Sequence, residues 1–136
     1  MSLTTRVGKA PVVPRSLGGD VKLFVYRGTI ARSDITDKPL FKVGPGLTPV
    51  ALFLNAAAGS NGGTSANVSV GKTGTSAHFI NAADVKGAAG VGRKFPSASN
   101  LNVSVGAAEI QVVGKYAETG SPSTTGGAWS VTMICA

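Results

Sequence analysis

The pentapeptide Asn-Val-Ser-Val-Gly occurs twice, at 67–71 and at 102–106, and each copy alternates apolar with small polar residues before stopping at glycine. Alternation with a period of two belongs to a strand with one buried and one wet face. The first copy predicts a strand with Val68 and Val70 on one side and Asn67 and Ser69 on the other. The second predicts a strand over 101–105, with Leu101, Val103 and Val105 set against Asn102 and Ser104. The flanks of the copies do not match, so the repeat reads as one strand solution reached twice. Outer faces of small hydroxyls and amides suit packing against other proteins better than chemistry.

The rest of the chain agrees with a sheet protein. There are 19 Gly and 7 Pro, while charged residues make up 14%. A helical chain of 136 residues would carry more Glu, Lys, Arg and Leu. Val21–Tyr26 predicts a strand with Val21, Leu23 and Val25 facing one way, and Gly28 predicts a bend. Residues 33–49 read as turns. Val50–Leu54 is nearly all apolar, as in a central strand covered on both faces. A small-residue loop follows over 56–64. Ala82–Lys86 predicts one helical turn capped by Asn81 and stopped at Gly87, and 87–99 reads as irregular. Leu101–Val105 and Glu109–Tyr116 predict a hairpin, with Ile110 and Val112 inward and Glu109, Gln111 and Lys115 outward. Residues 119–127 read as a flexible loop. Ala128–Cys135 predicts a closing strand with Trp129, Val131, Met133 and Cys135 on one face, Trp129 and Cys135 being core residues. Six to eight short strands imply an all-β fold, an antiparallel β-sandwich of jelly-roll-like form. Its open edges, with few charges to blunt them, favour an oligomer or a larger assembly.

Two divisions are expected: an extended basic N-terminal arm over 1–19 and a single β-sandwich domain over 20–136. The arm holds Arg6, Lys9 and Arg15 and no acid, and Pro11-Val12-Val13-Pro14 cannot be helical. It is either a disordered tail or an arm laid on a neighbouring subunit, where Val12, Val13 and Leu17 would be buried. Net charge is +7, but the basic residues are scattered and no nucleic-acid motif accompanies them, which ranks direct nucleic-acid binding below binding to a protein surface. The single cysteine excludes an internal disulfide framework. No secretory signal is visible, and the apolar run at 50–54 is too short to cross a bilayer, so synthesis in a cytoplasm without a membrane anchor is expected.

Tests for chemistry come out negative. Gly71-Lys72-Thr73 ends like a phosphate-binding loop, but position 66 is alanine, and Gly74 and Thr75 follow where a helix is required. The segment reads as a basic turn. His78 is the only histidine, and Asp20, Asp34, Asp37, Asp84, Glu109 and Glu118 are spread along the chain, so no metal site, cofactor or catalytic group is expected. His78 reads as a packed or surface loop residue beside Phe79, and an enzyme is not expected.

The stretch from Val68 to Val91 contains a strand ending in a Gly-Thr-Ser turn, then an aromatic and a short Ala-Ala-Asp segment; Ala108–Tyr116 adds a Glu-Ile-x-Val-Val-x-x-Tyr strand. This pattern resembles capsid decoration (cement) proteins of tailed bacteriophages. The resemblance covers the C-terminal half. It implies a structural virion protein on the exterior of the phage head, assembled in the host cytoplasm, that stabilises contacts between major capsid protein subunits as a homodimer or homotrimer. A basic clamp would suit an acidic shell. The candidate capsid contacts are Arg6, Lys9, Val12, Val13 and Arg15. The alternatives are a head–tail junction, tail or head-fibre component, and a carbohydrate-binding β-sandwich module, for which two Tyr and one Trp are a poor supply of stacking rings.

Overall fold

A computed structural model describes residues 22–94 and 100–136. Eight strands follow one another: β1 (Phe24–Ile30), β2 (Lys38–Val43), β3 (Pro49–Ala56), β4 (Ser65–Lys72), β5 (Thr75–Asp84), β6 (Gly92–Lys94), β7 (Ile110–Thr119) and β8 (Trp129–Cys135). They form two four-stranded sheets, ordered β1-β8-β3-β6 and β2-β7-β4-β5. Every strand pairing is antiparallel. Successive strands alternate between sheets except at the β4–β5 hairpin, which is the jelly-roll order of two interleaved Greek keys. The expected all-β sandwich is present.

The core lies between the sheets. Leu52, Leu54, Val131 and Met133 from one meet Val68, Val70, Val112 and Tyr116 from the other. Ile30, Trp129 and Cys135 are buried with them, and β8 presents the face the alternation predicted. β4 likewise buries Val68 and Val70, with Asn67 and Ser69 only partly covered. Gly71-Lys72-Thr73 runs from the end of β4 into the two-residue turn at Thr73 and Gly74, as expected.

Several local expectations are corrected. The second Asn-Val-Ser-Val-Gly is not a strand, and no hairpin joins it to β7. Asn100 and Asn102 have φ of 65° and Gly106 has φ of 99°, which breaks the extended backbone. The segment is tied to the start of β3 and the loop ahead of it, with Asn102 N donating to Pro49 O (2.7 Å) and Val105 N to Leu47 O (2.8 Å). Leu101 and Val105 pack on the core while Val103 is 56% exposed. β7 pairs instead with β2 and β4.

β2 arises inside the stretch read as turns. Its Pro39 is admissible because β2 is an edge strand, and a register shift sits between Pro39 and Phe41. The helical turn expected at 82–86 does not form: 82–84 end β5, and Lys86 makes an isolated bridge to Ser60. Pairing with β4 overrides alanine's helix preference, and Ala82, at φ 52°, donates its N–H to Ser69 Oγ. A 3₁₀ turn follows at Gly87–Gly90. Gly28 does not bend β1, whose register against β8 runs without a shift; its bare α-carbon lets Leu40 approach, since a Cβ there would lie 2.8 Å from Leu40 Cβ. β3 is central, but only one of its faces is buried, and Val50 is exposed. Leu23, just ahead of β1, and Val25 on it are both exposed. Three of the four sheet edges are blunted by shape rather than charge: Pro39 and its register shift on β2, irregular register on β5, and the three-residue β6, while β1 remains a regular edge.

Candidate functional site

The outer face of the β1-β8-β3-β6 sheet is built by one parity of each strand. Ile30, Trp129, Val131, Met133, Leu52 and Leu54 point into the core, so the alternate residues point out. The registers arrange them in rows: Val25, Ile134 and Ala51; then Arg27, Thr132 and Phe53; then Thr29, Ser130, Asn55 and Arg93. A shallow depression of about 590 Å³ runs across these rows. Arg93 sits with its guanidinium carbon 5.1 Å from the centre of the Phe53 ring. That contact holds the cation at one side of the face. The face therefore combines an apolar row, a hydroxyl and amide row, and two arginines.

Cations occur on both sheets, but acids do not. The strands β1, β3, β6 and β8 contain Arg27, Arg93 and Lys94 and no acid. Among the described residues, all acids belong to β5, to β7 or to loops that flank the other sheet: Asp34, Asp37, Asp84, Glu109 and Glu118. Lys42 on β2 pairs with Glu109 at 3.7 Å, so the second sheet has mixed charge.

A second cluster lies at one end of the sandwich, around a cavity of about 370 Å³ bordered by Arg32, Glu118, Ser123 and Gly126. Its polar groups are committed to holding the chain. Arg32 donates from Nε to Gly126 O (3.1 Å), from Nη1 to Ser123 O (3.1 Å) and from Nη2 to Thr124 O (3.0 Å). Asn61 Oδ1 accepts from Thr124 N (2.8 Å) and Thr125 N (3.0 Å). The loop expected to be flexible is thus fastened at several points.

Glu118 ties this loop to the core. Its Oε2 accepts from Ser123 N (2.8 Å) and its Oε1 accepts from Tyr116 OH (2.7 Å). Since the carboxylate can only accept, the Tyr116 hydroxyl in turn accepts from buried Ser60 Oγ (2.6 Å), which itself accepts from Gly62 N (3.1 Å). The bonds from Ser123 and Tyr116 hold the Glu118 carboxyl below its ordinary pKa. The folded state therefore binds a proton at Glu118 less readily than the unfolded chain does. Its stabilising contribution is present above the ordinary carboxyl pKa and is lost as pH falls through the lower folded value. Thermal unfolding followed from pH 7 into the acid range should show Tm dropping across that interval. In Glu118→Gln the drop should be smaller, with a lower Tm at neutral pH; equal slopes in both proteins would assign the acid loss to other groups.

His78 lies half-buried on β5, edge-on to Phe79 with ring centres 4.8 Å apart. It is a strand residue rather than a loop residue. Asn100 Nδ2 donates to His78 O (2.8 Å) and lies 3.3 Å from Nδ1. Burial and then the charge of Lys72 lower its pKa. The small pocket around it is lined by Lys72, Asn100, Ser104 and apolar residues. Among the described residues, no three His, Cys, Asp or Glu side chains gather to hold a metal ion, and no helix is long and apolar enough to cross a membrane.

The expected contacts Arg6, Lys9, Val12, Val13 and Arg15, with the whole 1–19 arm, lie outside the described residues. Sequence reasoning did not single out Arg27, Phe53 or Arg93. The usable signal was parity: Val25, Arg27 and Thr29 share one face of a strand whose other face ends in Ile30.

No family model matches the chain, and no curated protein matches it. Among solved structures, the cyanophage Pam1 capsid asymmetric unit contains a similar chain, with a TM-score of 0.60 and 18% sequence identity, over 91% of this chain and 88% of that one. At this identity the likeness is one of fold.

Proposed function

We propose that this chain is a structural virion protein, a capsid decoration or cement protein that binds the exterior of a phage head and stabilises contacts between major capsid subunits. The observation that carries the proposal is the jelly roll shared, nearly end to end, with a chain from the cyanophage Pam1 capsid asymmetric unit. Jelly rolls serve in capsids and in lectins, and fold alone does not assign a role. The resemblance of 68–91 and 108–116 to decoration proteins supports the capsid side of that choice. So does an outer sheet face that offers apolar, hydroxyl and cationic groups to a partner.

In this reading the protein is not an enzyme. It acts by adding buried area across subunit boundaries, which favours the assembled shell by mass action. It assembles in the host cytoplasm, occupies the shell as a dimer or trimer, and its 1–19 arm extends the contact.

The test is sedimentation of purified phage shells lacking this protein, with and without it, alongside light scattering of the protein alone. The expected result is saturable binding of many copies per shell and a higher shell melting temperature. A small fixed copy number in a ring would move the role to the head–tail junction. No binding to shells would end the decoration reading.

A further inference from the structure

We propose that the outer face of the β1-β8-β3-β6 sheet is the docking surface, and that its partner is an acidic protein surface engaged by Arg27 and Arg93. This rests on the decoration reading and names the face that would meet the shell.

The composition of the face is that of an interface centre. Such centres are enriched in arginine and aromatic residues and depleted of lysine and acids. Here Phe53, Val25 and Ile134 supply the apolar part, two arginines flank it, and the strands beneath carry no acid. The opposite sheet lacks this character: on its outer face Lys115, Ala117 and Thr119 of β7 lie beside Ser69, Asn67 and Ser65 of β4, and Gln111 lies beside Lys42 of β2.

Charge selects the occupant. The face has donors for carboxylates and no carboxylate of its own, so it complements an acidic surface. A second copy docking by the same face would bring arginines toward arginines across a two-fold axis, with no acid between them. A nucleic acid would meet an apolar row where phosphate contacts are needed.

Size sets the expected strength. Four strands about 4.8 Å apart and seven residues of about 3.4 Å give a footprint of roughly 350 Å². A standard stable interface uses about 800 Å² on each partner. One face is therefore a weak, salt-sensitive contact in which two charges matter greatly, and high occupancy needs further area or repetition over a shell.

The experiment compares shell binding by the unsubstituted protein, by Arg27→Glu/Arg93→Glu, and by Lys42→Glu/Lys115→Glu, which makes the same charge change on the opposite sheet. All substituted side chains point outward. Should the glutamate pair on the arginine face disturb folding, Arg27→Gln/Arg93→Gln replaces it. Binding should fall about 10- to 100-fold for the arginine variant and much less for the lysine variant. Rising salt should weaken the wild type and leave the arginine variant nearly unchanged. Equal losses in both double variants would overturn the inference, leaving net charge as the cause. So would full binding by the arginine variant, or an altered oligomeric state in place of altered shell binding, which would give the face to a second copy. In each of these cases wild-type binding keeps the decoration reading alive. Failure of the wild type to bind shells overturns both.

Discussion

Trp129→Ala should lower stability by about 3–5 kcal/mol, the range for deleting a large buried aromatic. The residue is 1% exposed and sits on β8, but its ring stacks on Tyr116 of β7 in the other sheet, with centres 5.2 Å apart and planes 15° from parallel. It therefore joins the two layers directly. Its Nε1 donates to Gly90 O at 3.3 Å, which also anchors the turn before β6. Alanine removes the stack, opens a void between the sheets and leaves a buried carbonyl without its donor. Phenylalanine keeps a ring in the void and should lose about half as much. Urea unfolding followed by circular dichroism measures both. A loss below about 1 kcal/mol for the alanine variant would mean that the sheets close over the gap, and the layers would then be held chiefly by their aliphatic residues.

Gly71→Ala should be the second large loss, at about 3 kcal/mol, and the contrast with Gly106→Ala is the informative part. These glycines end the two copies of the same pentapeptide. A Cβ on Gly71 would lie 2.1 Å from Thr75 O and 2.4 Å from the Ser76 carbonyl carbon, both backbone atoms of β5. Neither can rotate away, so the β4–β5 hairpin must shift. A Cβ on Gly106 would meet nothing within 4 Å, and its cost is only the left-handed φ of 99°. That substitution should cost about 1 kcal/mol. Chemical unfolding of the two variants side by side gives the comparison. Equal losses would show that the hairpin yields and that close approach at Gly71 is cheap.

Much of the fold was legible from the chain. Alternation found β4, β7 and β8 together with the inward set Val68, Val70, Val112, Trp129, Val131, Met133 and Cys135, because those strands bury one face throughout. Gly and Pro density marked a sheet protein with many turns. The elements that escaped are those whose neighbours matter more than their own residues. β2 contains a proline that an edge strand tolerates, and β5 contains alanines that a helix would welcome but that β4 claims. The candidate site was less legible. Its face carries no motif; Arg27, Phe53 and Arg93 come from three strands far apart in sequence. The arm residues were readable as charge and proline.

The identical pentapeptides separate the two kinds of information. By itself the sequence determined an all-β chain, the positions able to alternate, the residues fit for the core, and the excess of cations over acids. Tertiary structure alone decided that 65–72 is a strand while 101–106 is an irregular segment held against residues 46–49. It also decided that β1 turns Val25 and Arg27 outward and that β1, β3, β6 and β8 come together as a sheet whose strands hold no acid. The reason is physical: alternation requires one buried face, but the partner that buries it is brought there by pairing between distant strands, and nothing local in five residues encodes that partner.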